Sequence, residues 1–281
     1  MRLARVGEKG REQPALVERD GTVRSLAAHL DDITAADLTS DTLARLNAID
    51  PATLPIVPAG TRHGIPFTGA RKFVAVGLNY ASHAAESGMP IPDEPVLFMK
   101  ALSALAGPND DVAMPRESGK MDWEVELGVV IGTPARYVAR DDALAHVIGY
   151  VLVNDLSERA HQLEQGGGWV KGKSHDGFGP VGPWLVTTDE LGDAGALDMF
   201  LDVSGERRQT GNTADMIFDV CSIVSYISQF MTLERGDIIA TGTPPGVGFG
   251  MTPPRFLSVG DEVRLGISGL GEQRQRIVAP L

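Results

Sequence analysis

Cysteine is nearly missing from this chain: Cys221 is the only one in 281 residues. A lone thiol excludes an intramolecular disulfide framework and fits a reducing compartment. Its place in an apolar helical pattern reads as a core thiol rather than a nucleophile. Long hydrophobic runs are also missing. No stretch reaches the roughly 18 apolar residues of a membrane span, and residues 1–7 carry no apolar signal core. These features predict a cytoplasmic protein with no membrane partner. Basic residues are few, 25 Lys and Arg against 37 Asp and Glu, for a formal net charge of −12. Nucleic acid phosphates demand a basic face, so this balance argues against nucleic acid as a partner. A small anionic substrate then needs a local cation. Internal repeats and low-complexity segments are absent. The glycine-rich stretch 240–248 lacks the lysine, the spacing and the following helix of a Walker loop or a dinucleotide fingerprint, which removes nucleotide binding.

What is present is enough apolar material, 43% of residues, to build a full core. Residues 1–68 read as a small N-terminal module. An Asp20-Gly21 turn between strand-like runs predicts a hairpin over 14–26. Residues 34–47 read as a mostly polar helix, and the Pro- and Gly-bearing stretch 51–66 as a linker. Residues 69–281 form the main domain, with β-branched runs at 72–78, 124–131, 148–155, 184–187, 237–241 and 262–267. One clear helix is predicted over 216–231, with Ile217, Val220, Val224, Ile227 and Met231 along one stripe and Gly236 as its stop. Irregular strand spacing with few helices between argues against a doubly wound parallel sheet.

The stretch 122–131, Asp-Trp-Glu-Val-Glu-Leu-Gly-Val-Val-Ile, sets Glu124 and Glu126 two residues apart in a strand-like run. Alternate side chains of a strand leave one face, so both carboxylates point together and Trp123, Val125 and Leu127 point away. Adjacent like charges call for a shared proton, a nearby Lys or Arg, or a hard divalent cation. Asp155 ends a second apolar run, and three carboxylates from two strand ends suit Mg²⁺ or Mn²⁺. The competing reading is a solvated acidic strand face.

His83 and Glu86 are spaced i, i+3. If residues 80–87 are helical, Glu86 holds one imidazole nitrogen while the other takes a proton from water; an exposed surface pair is the alternative. Arg159 and Gln162 stand one turn apart on a helix predicted to start near Ser157, both able to face one ligand carboxylate or keto oxygen, or else are ordinary surface residues. Lys171 and Lys173 lie in a Gly- and Pro-rich loop, where a lysine can stabilise an enolate or merely solubilise. The glycines at 166–168 and 242–250 suggest mobile or closely approached backbone around a site.

In series, residues 76–80 with His83 and Glu86, then 122–127, Asn154-Asp155, Lys173-Ser174, Gly211-Asn212-Thr213 and Thr241-Gly242-Thr243-Pro244 resemble the fumarylacetoacetate hydrolase superfamily from about residue 70 onward. The N-terminal module is similar to that of bacterial ureidoglycolate lyase-like members and of hydrolases of 2,4-diketo-3-deoxy sugar acids. The resemblance implies an α+β, predominantly β fold, a mixed β-sandwich roll with peripheral helices, a homodimer, and one Mg²⁺ or Mn²⁺ per subunit. It implies Glu124, Glu126 and Asp155 as metal ligands, and His83 with Glu86 as the water-activating dyad on a mobile lid. It further implies Lys173 beside the reacting carbonyl and Arg159, Gln162 and Thr243 as substrate contacts. His175 departs from the pattern and receives no role.

The activity so implied is metal-dependent hydrolysis of a C–C bond in an acylpyruvate or other 2,4-diketo acid, releasing pyruvate and a carboxylic acid. Oxaloacetate decarboxylation, hydroxymuconate isomerisation and dienoate hydration share the enolate chemistry, and ureidoglycolate lyase action is a further alternative, disfavoured because the site reads as built for a 2-keto acid enolate. The dyad favours hydrolysis, which needs a water activator. A non-catalytic metal-binding scaffold predicts instead a closed Ca²⁺ site with no role for His83.

Overall fold

The computed structural model describes residues 1–86 and 88–280. Its centre is a ten-stranded mixed sheet. Nine strands run side by side in the order Val23–Ser25, Gln13–Val17, Arg2–Val6, Gly179–Thr187, Val147–Asn154, Val125–Ile131, Ile238–Ala240, Phe73–Gly77 and Val96–Lys100. Leu105–Ala106 pairs in parallel with the start of Gly179–Thr187. A five-stranded sheet, Glu206–Asn212, Asp198–Val203, Glu262–Ile267, Gly271–Val278 and Val112–Ala113, packs on one face of the first. The architecture is α+β and mainly β, as the resemblance implied.

Period-two alternation decides what each face does. Trp123, Val125, Leu127, Val129 and Ile131 join Leu201, Val203, Val263 and Leu265 in the core between the sheets. Val130, Val151 and Val153 face the other way and pack with Phe73, Leu3, Leu26, Ile33, Leu38 and Leu46. Each such fully buried aliphatic side chain contributes roughly 1.5–3 kcal/mol. The predicted helix 216–231 is observed as Val220–Phe230, capped where the Asp219 carboxylate accepts from the Ser222 N–H, and it buries Ile223, Val224 and Ile227.

Several expectations shift. The Asp20-Gly21 hairpin forms from Gln13–Val17 and Val23–Ser25, and these strands continue the large sheet, because Arg2–Val6 pairs with Gly179–Thr187. Residues 1–68 and the remainder thus share a sheet and an apolar cluster. The polar helix over 34–47 divides into a single turn, Ala35–Asp37, and a helix, Ser40–Asn47, because Thr39 caps the second by accepting from the Thr42 N–H. The strand expected at 184–187 starts at Gly179 and runs through two prolines. A hairpin with no sequence expectation, Asp198–Val203 and Glu206–Asn212, turns at Ser204 and Gly205, both at positive φ.

Candidate active site

Two neighbouring strands build the acid cluster. Val153 stands opposite Glu126 and Asn154 opposite Val125; one step on, the Asp155 N–H donates to the Glu124 carbonyl at 2.9 Å. Residues facing each other across an antiparallel pair share a face, so Glu124, Glu126 and Asp155 project together. A carboxylate oxygen from each lies within 4.8 Å of the others, and all three residues are at least 95% buried. This is a buried cluster, and the reading as a solvated acidic face is excluded.

Three buried cations answer it. Lys173 Nζ donates to Glu124 Oε2 at 2.8 Å and Asp155 Oδ2 at 2.6 Å. Lys100 Nζ donates to Asp155 Oδ1. Arg159 donates from Nε to Asp122 Oδ2 at 2.8 Å and places Nη2 2.7 Å from Glu124 Oε1 as an ion pair. Burial alone would raise the Glu124 pKa, yet Lys173 and Arg159 hold it well below the ordinary carboxylate range. Burial likewise opposes the charge on Lys173, and Asp155 and Glu124 outweigh it, raising its pKa. For Lys100 burial wins and the pKa falls despite Asp155.

Glu126 differs. Its Oε2 accepts from the Gly242 N–H at 2.8 Å, and no ion pair among the described residues reaches it. Burial, then the negative charges of Asp155 and Glu124, push its pKa well above the usual value. Three hard oxygen donors converging around charge that the local cations leave uncompensated fit a divalent cation such as Mg²⁺ or Mn²⁺. Such an ion would share Glu124 and Asp155 with Lys173.

The glycine-rich loop over 242–250 serves these acids through its backbone. The Gly246 N–H lies 3.0 Å from both oxygens of Glu86. The N–H groups of Gly248 and Phe249 donate to the two oxygens of Asp122 at 2.7 and 3.0 Å. Close approach requires glycine here: a Cβ on Gly246, where φ is +104°, would lie 2.0 Å from the Arg208 carbonyl oxygen, and one on Gly250 would lie 2.3 Å from Glu86 Cγ.

The helix Ala81–Glu86 follows the strand Phe73–Gly77; Ser87, in the expected helix 80–87, lies outside the described residues. His83 is buried, with Nδ1 3.4 Å from Glu86 Oε2. It lines one narrow cleft with Glu124, Glu126, Arg159, Gln162, Lys173 and Thr243, so the sequence-predicted site residues gather there or, as Glu86 and Asp155 do, directly behind it. Thr243 donates its hydroxyl proton to the Val125 carbonyl at 2.9 Å and accepts from Gln209 Nε2, which commits much of its capacity to the scaffold.

The helix expected from Ser157 does not form. Ser157–Glu158 is a short strand paired with Met121–Asp122, and a single π-helical turn, Ala160–Glu164, follows. It still brings Arg159 Nη1 to Gln162 Oε1 at 3.0 Å. Lys171 is exposed and caps the Gln165 carbonyl, whereas Lys173 is buried. His175 lies outside the cleft lining, its Nε2 2.9 Å from His161 Nδ1, and burial followed by His161 lowers its pKa. Sequence reasoning missed Lys100 and the role of Asp122. The available signals were a lysine closing an apolar strand and an acid directly before the Trp-Glu-Val-Glu run.

This fold and this cluster define a recognisable class. The family model for the fumarylacetoacetate (FAA) hydrolase C-terminal domain matches residues 72–278, and the chain belongs to that family. A 2,4-didehydro-3-deoxy-L-rhamnonate hydrolase of a Sphingomonas species is 52% identical over 278 residues, covering 99% of this chain and 96% of that one. The crystal structure of maleylpyruvate hydrolase from a Sphingobium species, in complex with manganese(II) and pyruvate, superposes with a TM-score of 0.83 at 31% identity over the full length of both chains. A fumarylacetoacetate hydrolase from Exiguobacterium antarcticum gives a TM-score of 0.86 at 34% identity, covering 99% of each chain. The chain is accordingly an enzyme of the hydrolase type.

Proposed function

We propose that this enzyme hydrolyses the C3–C4 bond of a 2,4-diketo acid, an acylpyruvate or 2,4-diketo-3-deoxy sugar acid, to pyruvate and a carboxylic acid. The observation that carries the reading is His83, backed by Glu86, in the same cleft as Glu124 and Glu126, with Asp155 directly behind them. Decarboxylation and isomerisation of a 2-keto acid do not strictly need a water activator, whereas hydrolysis does.

In this reading Glu86, fixed by the Gly246 N–H, accepts from Nδ1–H and sets the tautomer, leaving Nε2 as the base. His83 takes a proton from water as the water oxygen bonds to C4. Collapse of the tetrahedral centre breaks C3–C4, and the electron pair passes into the departing pyruvate unit. The proton held on His83 then returns to C3. Arg159 and Gln162 face the head of the substrate, and Thr243 lines the same cleft. Lys173 holds Glu124 and Asp155 in place and presents positive charge to the developing oxyanion. A Mg²⁺ or Mn²⁺ ion on Glu124, Glu126 and Asp155 would supply Lewis acidity toward the carboxylate and 2-keto oxygens. We read the working form as a cytoplasmic homodimer with one ion per subunit.

The test is pyruvate release, coupled to lactate dehydrogenase, from acylpyruvates, 2,4-diketo-3-deoxy sugar acids and oxaloacetate with Mg²⁺ or with EDTA. Pyruvate from a diketo acid with a matching carboxylic acid, lost on EDTA, is the expected result. Release from oxaloacetate alone would move the assignment to a decarboxylase. His83→Ala is expected to lower kcat by about 10²–10⁴-fold while calorimetric metal affinity stays nearly intact; unchanged turnover would remove the dyad from the mechanism.

A further inference from the structure

Two Lys or Arg side chains line the cleft, Arg159 and Lys173, and both are committed to its floor. Arg159 reaches Asp122, Glu124 and Gln162, and Lys173 reaches Glu124 and Asp155. Away from that floor the walls are Leu78, Met89, Leu163, Trp169, Val247 and Phe249. Trp169 is packed hard in place: a Cβ on Gly77 would fall 2.4 Å from its ring, and Phe98 meets it edge-on with centroids 5.2 Å apart. Among the described residues, no basic side chain of the lining is left for a second anionic group.

An unpaired carboxylate against such a wall loses hydration and gains no partner. The net charge of −12 also disfavours the approach of a dianion. Taking the site as the 2,4-diketo acid hydrolase argued above, we propose that it is specific for substrates with an uncharged acyl end, alkyl or hydroxylated, and rejects 2,4-diketo acids that carry a second carboxylate there. The head of the substrate uses the cations of the floor, and the tail must do without one.

The experiment compares butyrylpyruvate with succinylpyruvate, seven-carbon compounds that differ only in a terminal methyl or carboxylate. In parallel, calorimetry with Mg²⁺ compares 2-oxohexanoate with 2-oxoadipate, which differ in the same way and lack the 4-keto group needed for cleavage. The expected preference in kcat/KM for butyrylpyruvate is about 100-fold or more, and 2-oxohexanoate binds at least about tenfold tighter. Leu163→Arg, at a position 40% exposed at the mouth, narrows both ratios by at least about tenfold. Equal or reversed preferences would overturn the specificity and leave the hydrolase reading standing. No pyruvate from either substrate would overturn the hydrolase reading, and the calorimetric pair would then decide the preference by itself.

Discussion

Lys100 closes the strand Val96–Lys100 with its ammonium entirely inside the protein, on Asp155 and the Leu156 carbonyl. Removing one partner of a buried ion pair takes compensation from the other, and Asp155 would keep only Lys173 inside a cluster that is already rich in acids. Lys100→Met, of similar volume, is therefore expected to destabilise the metal-free protein by about 3–5 kcal/mol, measured by chemical denaturation. Under the metal-binding proposal, added Mg²⁺ or Mn²⁺ returns part of that loss, so the variant shows a larger metal-induced rise in Tm than the parent. Which site residues were legible follows from the range of the signal. Glu124 and Glu126 announce themselves because their pairing is local and the period of a strand is two. Lys100 does not, because its partner lies 55 residues later in the chain, and a strand-end lysine in isolation reads as a solvent anchor. Asp122 was visible as a residue and invisible as a hub, since its donors other than the adjacent Trp123 N–H come from Arg159 and from amides at 248 and 249.

At the level of elements, the loop over 242–250 controls the dyad without contributing a side chain to it. Alanine at 246 would have to hold φ near +104° and would meet the Arg208 carbonyl at 2.0 Å; the left-handed conformation alone costs about 1–2 kcal/mol. The backbone must shift, and its N–H leaves Glu86. Gly246→Ala is expected to lower kcat by at least about tenfold, with metal affinity changed little because Gly242 still serves Glu126. Equal losses in metal affinity and kcat would show that the whole loop had collapsed. Sequence reading found this loop by its glycines and offered mobility or close approach; the structure shows close approach at these positions. The strand beginning at Gly179 was hidden because Pro180 and Pro183 lack the N–H groups that a ladder uses, so the segment read as a loop. The 198–212 hairpin was hidden because its second strand, Glu-Arg-Arg-Gln-Thr-Gly-Asn, is polar and half-exposed.

Across the molecule, the first 68 residues extend the central sheet from the strand Gly179–Thr187 and cover Phe73, Val151 and Val153 with Leu26, Ile33, Leu38 and Leu46. Deleting residues 1–68 would leave Gly179–Thr187 as an open sheet edge beside an uncovered apolar face, a combination that promotes edge-to-edge association. The truncated chain is expected to aggregate or to bind hydrophobic dye strongly. A soluble, cooperative fragment that retains the full-length stability would show instead that residues 69–281 fold on their own. The local turn at Asp20-Gly21 was readable, but the attachment of its hairpin to the large sheet was not, since it runs through Arg2–Val6, whose Leu3 pairs with Leu185, and pairing across 182 residues leaves no local trace.

The loop that grips Glu86, Asp122 and Glu126 does so with amides, and the same loop turns the side chains of Val247 and Phe249 into the cleft. Grip and wall are thus written in different atoms of the same few residues. Side chains at 247 and 249 can be exchanged to reshape what the cleft admits while the amides go on orienting the acids, which makes this segment the natural place to redesign substrate choice without rebuilding the chemistry.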